Sequence, residues 1–182
     1  ELTIKRLHKY QQSFMKYGKQ YDIDWVMLTA LGYQESKLNQ NAKSSHGAVG
    51  VMQIKPSTAA DKNVNIKGVK DSYDKNIHAA TKYLAFLRSR YFSDPDIVPF
   101  EQLAFTLAAY NAGPGKIRQM RNKAKTLGLD PNKWFFNVEN ATRRFTSKEP
   151  VNYVANIMKY HLAFKSIIEA ENARMQATEK LK

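Results

Sequence analysis

Glu35 is the residue whose type and position could do acid–base chemistry in this sequence. It follows a largely apolar run that begins at Trp25, and Leu28, Leu31 and Glu35 recur at the helical spacings of three and four residues that share one face. Burial beside apolar side chains disfavours the charged form of a carboxyl and raises its pKa. A carboxylic acid that keeps its proton near neutral pH can donate it to a leaving group. The helix alone equally allows a solvated carboxyl at the helix end, or one that caps the following loop.

The segment that follows Glu35 carries neutral hydrogen-bonding groups. No acidic residue occurs from Ser36 to Ala60. The segment offers the hydroxyls of Ser44 and Ser45, the amide of Gln53 and backbone N–H groups beside two glycines. Such groups suit a ligand rich in hydroxyl and acetamido groups, whereas the G-x-x-x-x-G-K-[ST] pattern of a phosphate-binding loop is absent. A tight turn is an alternative reason for the glycines.

Apolar periodicity predicts a mostly α-helical domain that positions these groups, with at most a small β-hairpin within residues 41–54. The predicted helices cover about 3–19, the run after Asp22 and Asp24, 74–92, the segment from Pro99 to Gly113, and the segment that Pro150 opens. We expect residues 1–19 to be an N-terminal helix or a linker to a domain outside this sequence. Residues 20–170 are expected to form the functional domain, and residues 171–182 a polar tail.

The composition excludes several classes of site. The 182 residues contain no cysteine, so there is no disulfide framework and no thiolate zinc site. The four histidines lack ligand spacing, and we expect neither a metal nor a cofactor. The formal net charge of +13 favours anionic partners, but the Lys and Arg residues are scattered, which argues against nucleic acid. No segment has the roughly 18 apolar residues of a membrane span, and the first residues lack the apolar core of a signal peptide.

Four ordered motifs between about residues 20 and 168 resemble a known enzyme family. They are the Glu-Ser pair at Glu35, the pattern G-x-x-G-x-M-Q from Gly47, the run A-Y-N-A-G around Tyr110, and the late tyrosine Tyr153. This order is similar to that of the soluble lytic transglycosylase family, which implies the goose-type lysozyme fold. The YQES segment and the irregular stretch after the A-Y-N motif most resemble the membrane-bound transglycosylase F subfamily.

The resemblance also implies roles for individual residues, with Glu35 as the sole catalytic acid and base. The residues implied to bind substrate are Ser44, Gln53, Tyr110 and Tyr153, and those implied to support the site structurally are Asn111 and Glu149. Without the motifs, both tyrosines fit apolar helix stripes and would be core residues. Asn111 would then be part of a helix end, and Glu149 would complement a helix dipole. Lys55 departs from the family, which commonly has a second methionine at this position.

The activity implied by the resemblance is a lytic transglycosylase of peptidoglycan. Such an enzyme cleaves the β-1,4 bond between N-acetylmuramic acid and N-acetylglucosamine and forms a 1,6-anhydro sugar. Ordinary glycosidases use two carboxylates, whereas the motif region supplies one. The alternatives are a goose-type muramidase in which Asp61, Asp71 or Asp74 holds a water, a basic nucleic-acid-binding domain, and an inactive wall-binding module. We expect a monomer in the periplasm or cell envelope, with glycan strands as partner and outer-membrane association through a segment outside this sequence.

Overall fold

Eight α-helices and one irregular helical segment make up the chain. The computed structural model describes every residue from Glu1 to Lys182. The helices are α1 (Leu2–Tyr21), α2 (Trp25–Ser36), α3 (Pro56–Ala60), α4 (Tyr73–Tyr91), α5 (Pro99–Ala112), α6 (Pro114–Thr126), α7 (Glu139–Phe145) and α8 (Glu149–Lys180). The irregular segment Trp134–Val138 precedes α7. No sheet forms, and only single bridges join Val49 to Lys43 and to Ile54. The mostly α-helical fold expected from the sequence is confirmed.

Local sequence signals begin and end the helices that carry the site. The side chain of Asp24 accepts a hydrogen bond from the Val26 N–H and caps α2. Pro99 and Pro114 lie in the first turns of α5 and α6, where a helix does not need their missing N–H groups. Gly113 separates these two helices at a φ of 90°, a conformation that disfavours other residues. The predicted sharp boundary between α5 and α6 is therefore present.

Helix α2 is buried along its central turns. Its residues from Met27 to Gly32 are all buried, and the helix packs against α8 and α1. Gly32 lets the following loop approach closely, because a Cβ at this position would lie 3.1 Å from the Leu38 side chain and 3.2 Å from those of Met52 and Val51. The last turn of α2 therefore carries Glu35 along the edge of the core.

Both ends of the chain are helical. Helix α1 packs against α4 and α2, and its Leu7 and Phe14 are fully buried. Residues 1–19 thus contribute to the same hydrophobic core as the rest of the chain. Residues 171–180, expected as part of a polar tail, continue α8 with almost every side chain exposed. None of the helices has the length and hydropathy needed to cross a bilayer.

Candidate active site

A cavity of about 400 Å³ lies beside the C-terminal end of α2. Predicted site residues that line it are Glu35, Ser44, Gln53, Tyr110 and Asn111. Tyr153 contacts this site through its hydrogen bond to Glu35. Glu149 lines a smaller cavity next to the main one. The fold therefore brings together side chains from α2, the α2–α3 loop, α5 and α8.

Glu35 occupies the last turn of α2 and is mostly buried. Burial raises the pKa of its carboxyl from 4.5 to about 7, with smaller opposing effects from the Tyr153 hydrogen bond, which lowers it, and from Glu149, which raises it. The Tyr153 hydroxyl donates to Glu35 Oε2 over 2.7 Å. The sequence-based prediction that apolar surroundings raise this pKa is confirmed. A carboxyl with this pKa can give up a proton near neutral pH and accept one back as carboxylate.

Tyr110 and Tyr153 are both phenols that stay protonated. Burial raises the pKa of each well above 10.0, and the negative charge of Glu35 adds to the effect. The Tyr110 hydroxyl donates to the backbone oxygen of Met52 over 2.6 Å. Tyr110 therefore connects α5 to the α2–α3 loop by a hydrogen bond, whereas Tyr153 orients the carboxyl of Glu35.

Buried amide groups hold the α2–α3 loop as one wall of the cavity. Asn76 of α4 donates to the backbone oxygens of Val49 (2.8 Å) and Val69 (3.0 Å), and it accepts from the Met52 N–H over 2.9 Å. Gly50 has a φ of 81°, and a Cβ there would lie 2.1 Å from the Asn76 side-chain nitrogen. Only glycine fits this position, for reasons of both conformation and space.

Ser44 and Gln53 each make side-chain hydrogen bonds to the backbone of the α2–α3 loop. The Ser44 hydroxyl oxygen accepts from the N–H groups of His46 (3.3 Å) and Ala48 (3.0 Å). The Gln53 amide nitrogen donates to the backbone oxygen of Ala42 (3.0 Å) and to a second loop carbonyl (2.9 Å). What remains without a protein partner is the hydroxyl hydrogen of Ser44 and the amide oxygen of Gln53, one donor and one acceptor on the cavity wall.

The sequence of this chain matches one family across the first three of its four motifs. A family model described as the transglycosylase SLT domain matches residues 12–132. The chain belongs to this family. The match includes Glu35, the α2–α3 loop and the A-Y-N motif, whereas Glu149 and Tyr153 lie after its end and are joined to the site by the structure.

Curated relatives carry the subfamily name that the sequence suggested. The chain is 34% identical over 173 residues to the membrane-bound lytic murein transglycosylase F of Pseudomonas fluorescens strain Pf0-1, covering 86% of this chain and 34% of that protein. It is 38% identical over 131 residues to the protein of the same name from Desulfosudis oleivorans, covering 71% of this chain and 27% of that one. The chain therefore spans about a third of the length of such relatives.

Solved structures share the fold of this chain. The 70 kDa soluble lytic transglycosylase Slt70 from Escherichia coli superposes with a TM-score of 0.66 at 26% identity, over 87% of this chain and 24% of that one. An inactive mutant of the lytic transglycosylase Slt from Pseudomonas aeruginosa gives a TM-score of 0.66 at 23% identity, over 88% of this chain and 24% of that one. The second likeness supports the fold alone.

Asn111 and Glu149 lie at the boundary between two neighbouring cavities. Asn111 lines the main cavity directly, and its amide nitrogen lies 3.5 Å from Glu149 Oε1, to which it donates. Glu149 is exposed and lines the smaller cavity of about 220 Å³ together with Lys116 and Ser147. The resemblance assigned supporting roles to both residues, and the geometry places Asn111 nearer to a bound ligand than Glu149.

Sequence reasoning missed several residues of the cavity wall, among them Tyr83 and Lys55. Tyr83 of α4 lines the cavity with its ring centroid 5.9 Å from that of Tyr110. Tyr83 falls outside the apolar stripe predicted for its helix, and a large aromatic side chain beside that stripe was the available signal. Lys55, noted only as a departure from the family, also lines the cavity and adds a cation to it.

The carboxylates that could have held a hydrolytic water lie elsewhere in the SLT domain. Asp74 accepts hydrogen bonds from the hydroxyls of Ser13 (2.8 Å) and Tyr17 (2.6 Å) between α1 and α4. Asp61 and Asp71 are exposed and do not line the main cavity. Glu35 is the only acidic residue that does. No three His, Cys, Asp or Glu side chains converge in a way that could hold a metal ion.

Proposed function

We propose that this chain contains the catalytic domain of a peptidoglycan lytic transglycosylase. One observation carries the proposal: the main cavity contains a single carboxyl, Glu35, and burial raises its pKa to about 7. Membership of the family and the names of the curated relatives support the same class of reaction. A glycosidase of the usual kind would need a second carboxylate across the scissile bond.

The reaction that fits one carboxyl uses the substrate's own groups. Glu35 donates its proton to the glycosidic oxygen, and the bond from that oxygen to C1 of N-acetylmuramic acid breaks. The carbonyl oxygen of the 2-acetamido group stabilises the positive charge that develops at C1. The 6-hydroxyl of the same sugar then attacks C1 and gives its proton to the Glu35 carboxylate. The products are a 1,6-anhydro sugar and a free 4-hydroxyl, with no water consumed.

The residues around Glu35 support each part of this reaction. The Tyr153 hydroxyl donates to Oε2 and holds the carboxyl in one orientation, which leaves Oε1 for the substrate. The free donor of Ser44 and the free acceptor of Gln53 suit the hydroxyl and acetamido groups of the sugar. Holding the 6-hydroxyl near C1 makes the second step intramolecular, which supplies a large part of the rate.

Digestion of purified sacculi in heavy-oxygen water tests the proposal. We expect muropeptides that end in 1,6-anhydro-N-acetylmuramic acid, without heavy oxygen at C1. The Glu35→Gln variant should release almost nothing, whereas Glu169→Gln, which alters an exposed carboxyl on α8, should digest like the wild type. Heavy oxygen at C1 would mean that the protein is a muramidase. Equal digestion by the Glu35→Gln variant would reject Glu35 as the catalytic acid.

The partner and location follow from the proposed activity. Peptidoglycan glycan strands are the partner, and the net charge of +13 suits anionic wall polymers and acidic peptide stems. We propose a monomer that does not bind nucleic acid and acts in the periplasm or cell envelope. The words "membrane-bound" in the names of the relatives support an envelope location, with outer-membrane association through a segment outside this sequence.

A further inference from the structure

Helix α7 and the irregular segment before it expose a surface that takes no part in the site around the catalytic carboxyl. We call this surface the α7 face, and its side chains, all exposed, are Phe136, Asn140, Arg143, Arg144 and Phe145. Asn140 joins the two segments, because its side-chain nitrogen donates to the backbone oxygen of Phe136 over 2.8 Å. Neither the main cavity nor the smaller one beside it includes any residue of the α7 face.

Phe136 projects from the α7 face on a strained backbone. Its φ is 63°, in the left-handed region that bulky side chains rarely adopt. Two side chains hold this conformation, because Glu139 Oε1 accepts from the Phe136 N–H over 3.1 Å and Asn140 donates to the Phe136 carbonyl. The neighbouring Phe135 stacks on Phe100, whereas the Phe136 ring is 77% exposed. The strained backbone therefore presents an apolar ring to the outside of the protein, which points to contact with a partner.

Basic side chains without carboxylate partners surround the exposed rings. Residues 114–148, which include α6 and α7, contain nine Lys and Arg residues and only two acidic residues. Arg144 and Lys123 both lie over the Phe145 ring, with the guanidinium carbon and Nζ each 5.2 Å from the ring centroid. Both ion pairs of the protein use a histidine, so no carboxylate in contact with these Lys and Arg side chains neutralises them. The α7 face thus combines apolar rings with uncompensated positive charge.

We infer that the α7 face docks on the surface of an anionic phospholipid bilayer. Phe136 and Phe145 enter the headgroup region, and the cationic groups around them bind lipid phosphates. A bilayer suits this face better than a polysaccharide does, because a sugar needs a cavity with directed hydrogen-bonding groups, whereas these rings project from the surface. The inference does not depend on the proposed function, since no residue of the main cavity takes part. It adds a lipid contact made by the helical domain itself to any anchor outside this sequence.

Co-sedimentation with phospholipid vesicles tests the apolar part of this contact. The protein should bind vesicles of phosphatidylglycerol mixed with phosphatidylcholine and bind only weakly to phosphatidylcholine alone. Phe136→Asn should weaken binding to the anionic vesicles about tenfold, the low end of what burial of a phenyl ring provides. Its Tm should stay the same or rise, because asparagine adopts the left-handed conformation more readily than phenylalanine. The control Met175→Gln removes a 63% exposed apolar side chain near the far end of α8 and should bind like the wild type.

The same assay tests the charged part of the contact. Replacing both Arg143 and Arg144 with glutamine should weaken binding to the anionic vesicles about twentyfold at low salt. The difference from the wild type should shrink at high salt, because salt screens exposed charges. The control replaces Lys165 and Arg174, two exposed cations on α8, with glutamine and lowers the net charge equally. This control should bind nearly as the wild type does, and an equal loss would overturn the α7 face as the docking surface.

The remaining outcomes distinguish lipid from wall polymer and this inference from the proposed function. Unchanged vesicle affinity of Phe136→Asn, or of Phe136→Gly if the asparagine variant does not fold, would overturn the inference. Binding to purified sacculi is measured on Glu35→Gln with and without Phe136→Asn. Weaker binding to sacculi together with unchanged binding to vesicles would make a wall polymer the partner and would also overturn it. Digestion of sacculi by the wild type without anhydro products would reject only the proposed function, because vesicle binding does not require Glu35.

Discussion

Replacing Glu35 with glutamine should stabilise the folded protein more at pH 8 than at pH 4. The cause is the raised pKa of the buried carboxyl, about 7 against 4.5 for the ordinary group. Below pH 4.5 the carboxyl is protonated in both the folded and the unfolded chain, so it adds no pH dependence. As the pH rises from 4.5 to 7, the unfolded chain releases the proton and the folded chain retains it. The folded state therefore loses stability across this window, and the glutamine variant does not.

The size of the effect follows from the two pKa values. A rise from 4.5 to about 7 corresponds to about 3 kcal/mol at about 1.4 kcal/mol per pKa unit. This is the whole penalty, reached above pH 7, where the folded carboxyl is also ionised. The glutamine oxygen can still accept the hydrogen bond from Tyr153, so this contact contributes little to the difference. We expect the stability of the variant relative to the wild type to increase by about 2–3 kcal/mol from pH 4 to pH 8.

Urea unfolding followed by circular dichroism at several pH values measures this difference. The wild type, Glu35→Gln and Glu169→Gln are compared, because Glu169 is an exposed carboxyl on α8. The control should track the wild type at every pH. A constant stability difference between Glu35→Gln and the wild type from pH 4 to pH 8 would refute the reasoning, because it would mean that Glu35 ionises alike in the folded and unfolded chains.

Three further perturbations test the site and its frame. Tyr153→Phe should lower the specific activity about tenfold or more. It should also shift the loss of activity at high pH to a higher pH, because the Tyr153 hydrogen bond lowers the pKa of Glu35. A large drop in Tm with unchanged activity and pH profile would mean that Tyr153 is only a core residue. Gly50→Ala should lower the free energy of unfolding, measured with urea, by at least about 3 kcal/mol. The control Gly47→Ala should lower it by about 1 kcal/mol, because its added Cβ would meet nothing within 4 Å. Equal losses would contradict the close contact between Gly50 and Asn76. Dialysis against a chelator should leave the rate unchanged, and a loss restored by one divalent ion would contradict this.

Local patterns in the sequence determined the helices and much of the site. The predicted helix over 74–92 is α4 at Tyr73–Tyr91, and Pro99, Gly113 and Pro114 begin and end helices where expected. These features depend on residues within one or two turns of each other, where periodicity, fixed proline φ and glycine freedom act directly. The raised pKa of Glu35 was also predictable, because its helix is apolar along its length and one face had to be buried.

The tertiary structure decided which partner each polar group meets. Glu35 and Tyr153 are separated by 118 positions in the sequence, and they touch only because α2 packs against α8. Nor does local sequence show that the Gln53 nitrogen bonds to its own loop, that Tyr110 binds the Met52 carbonyl, or that Tyr83 turns toward the cavity. Helix periodicity specifies which face of a helix is apolar but not which helix covers it, nor the distance between two side chains. A hydrogen bond is lost when the distance between donor and acceptor increases by about 1 Å. Only the packing of the whole chain sets these distances so closely.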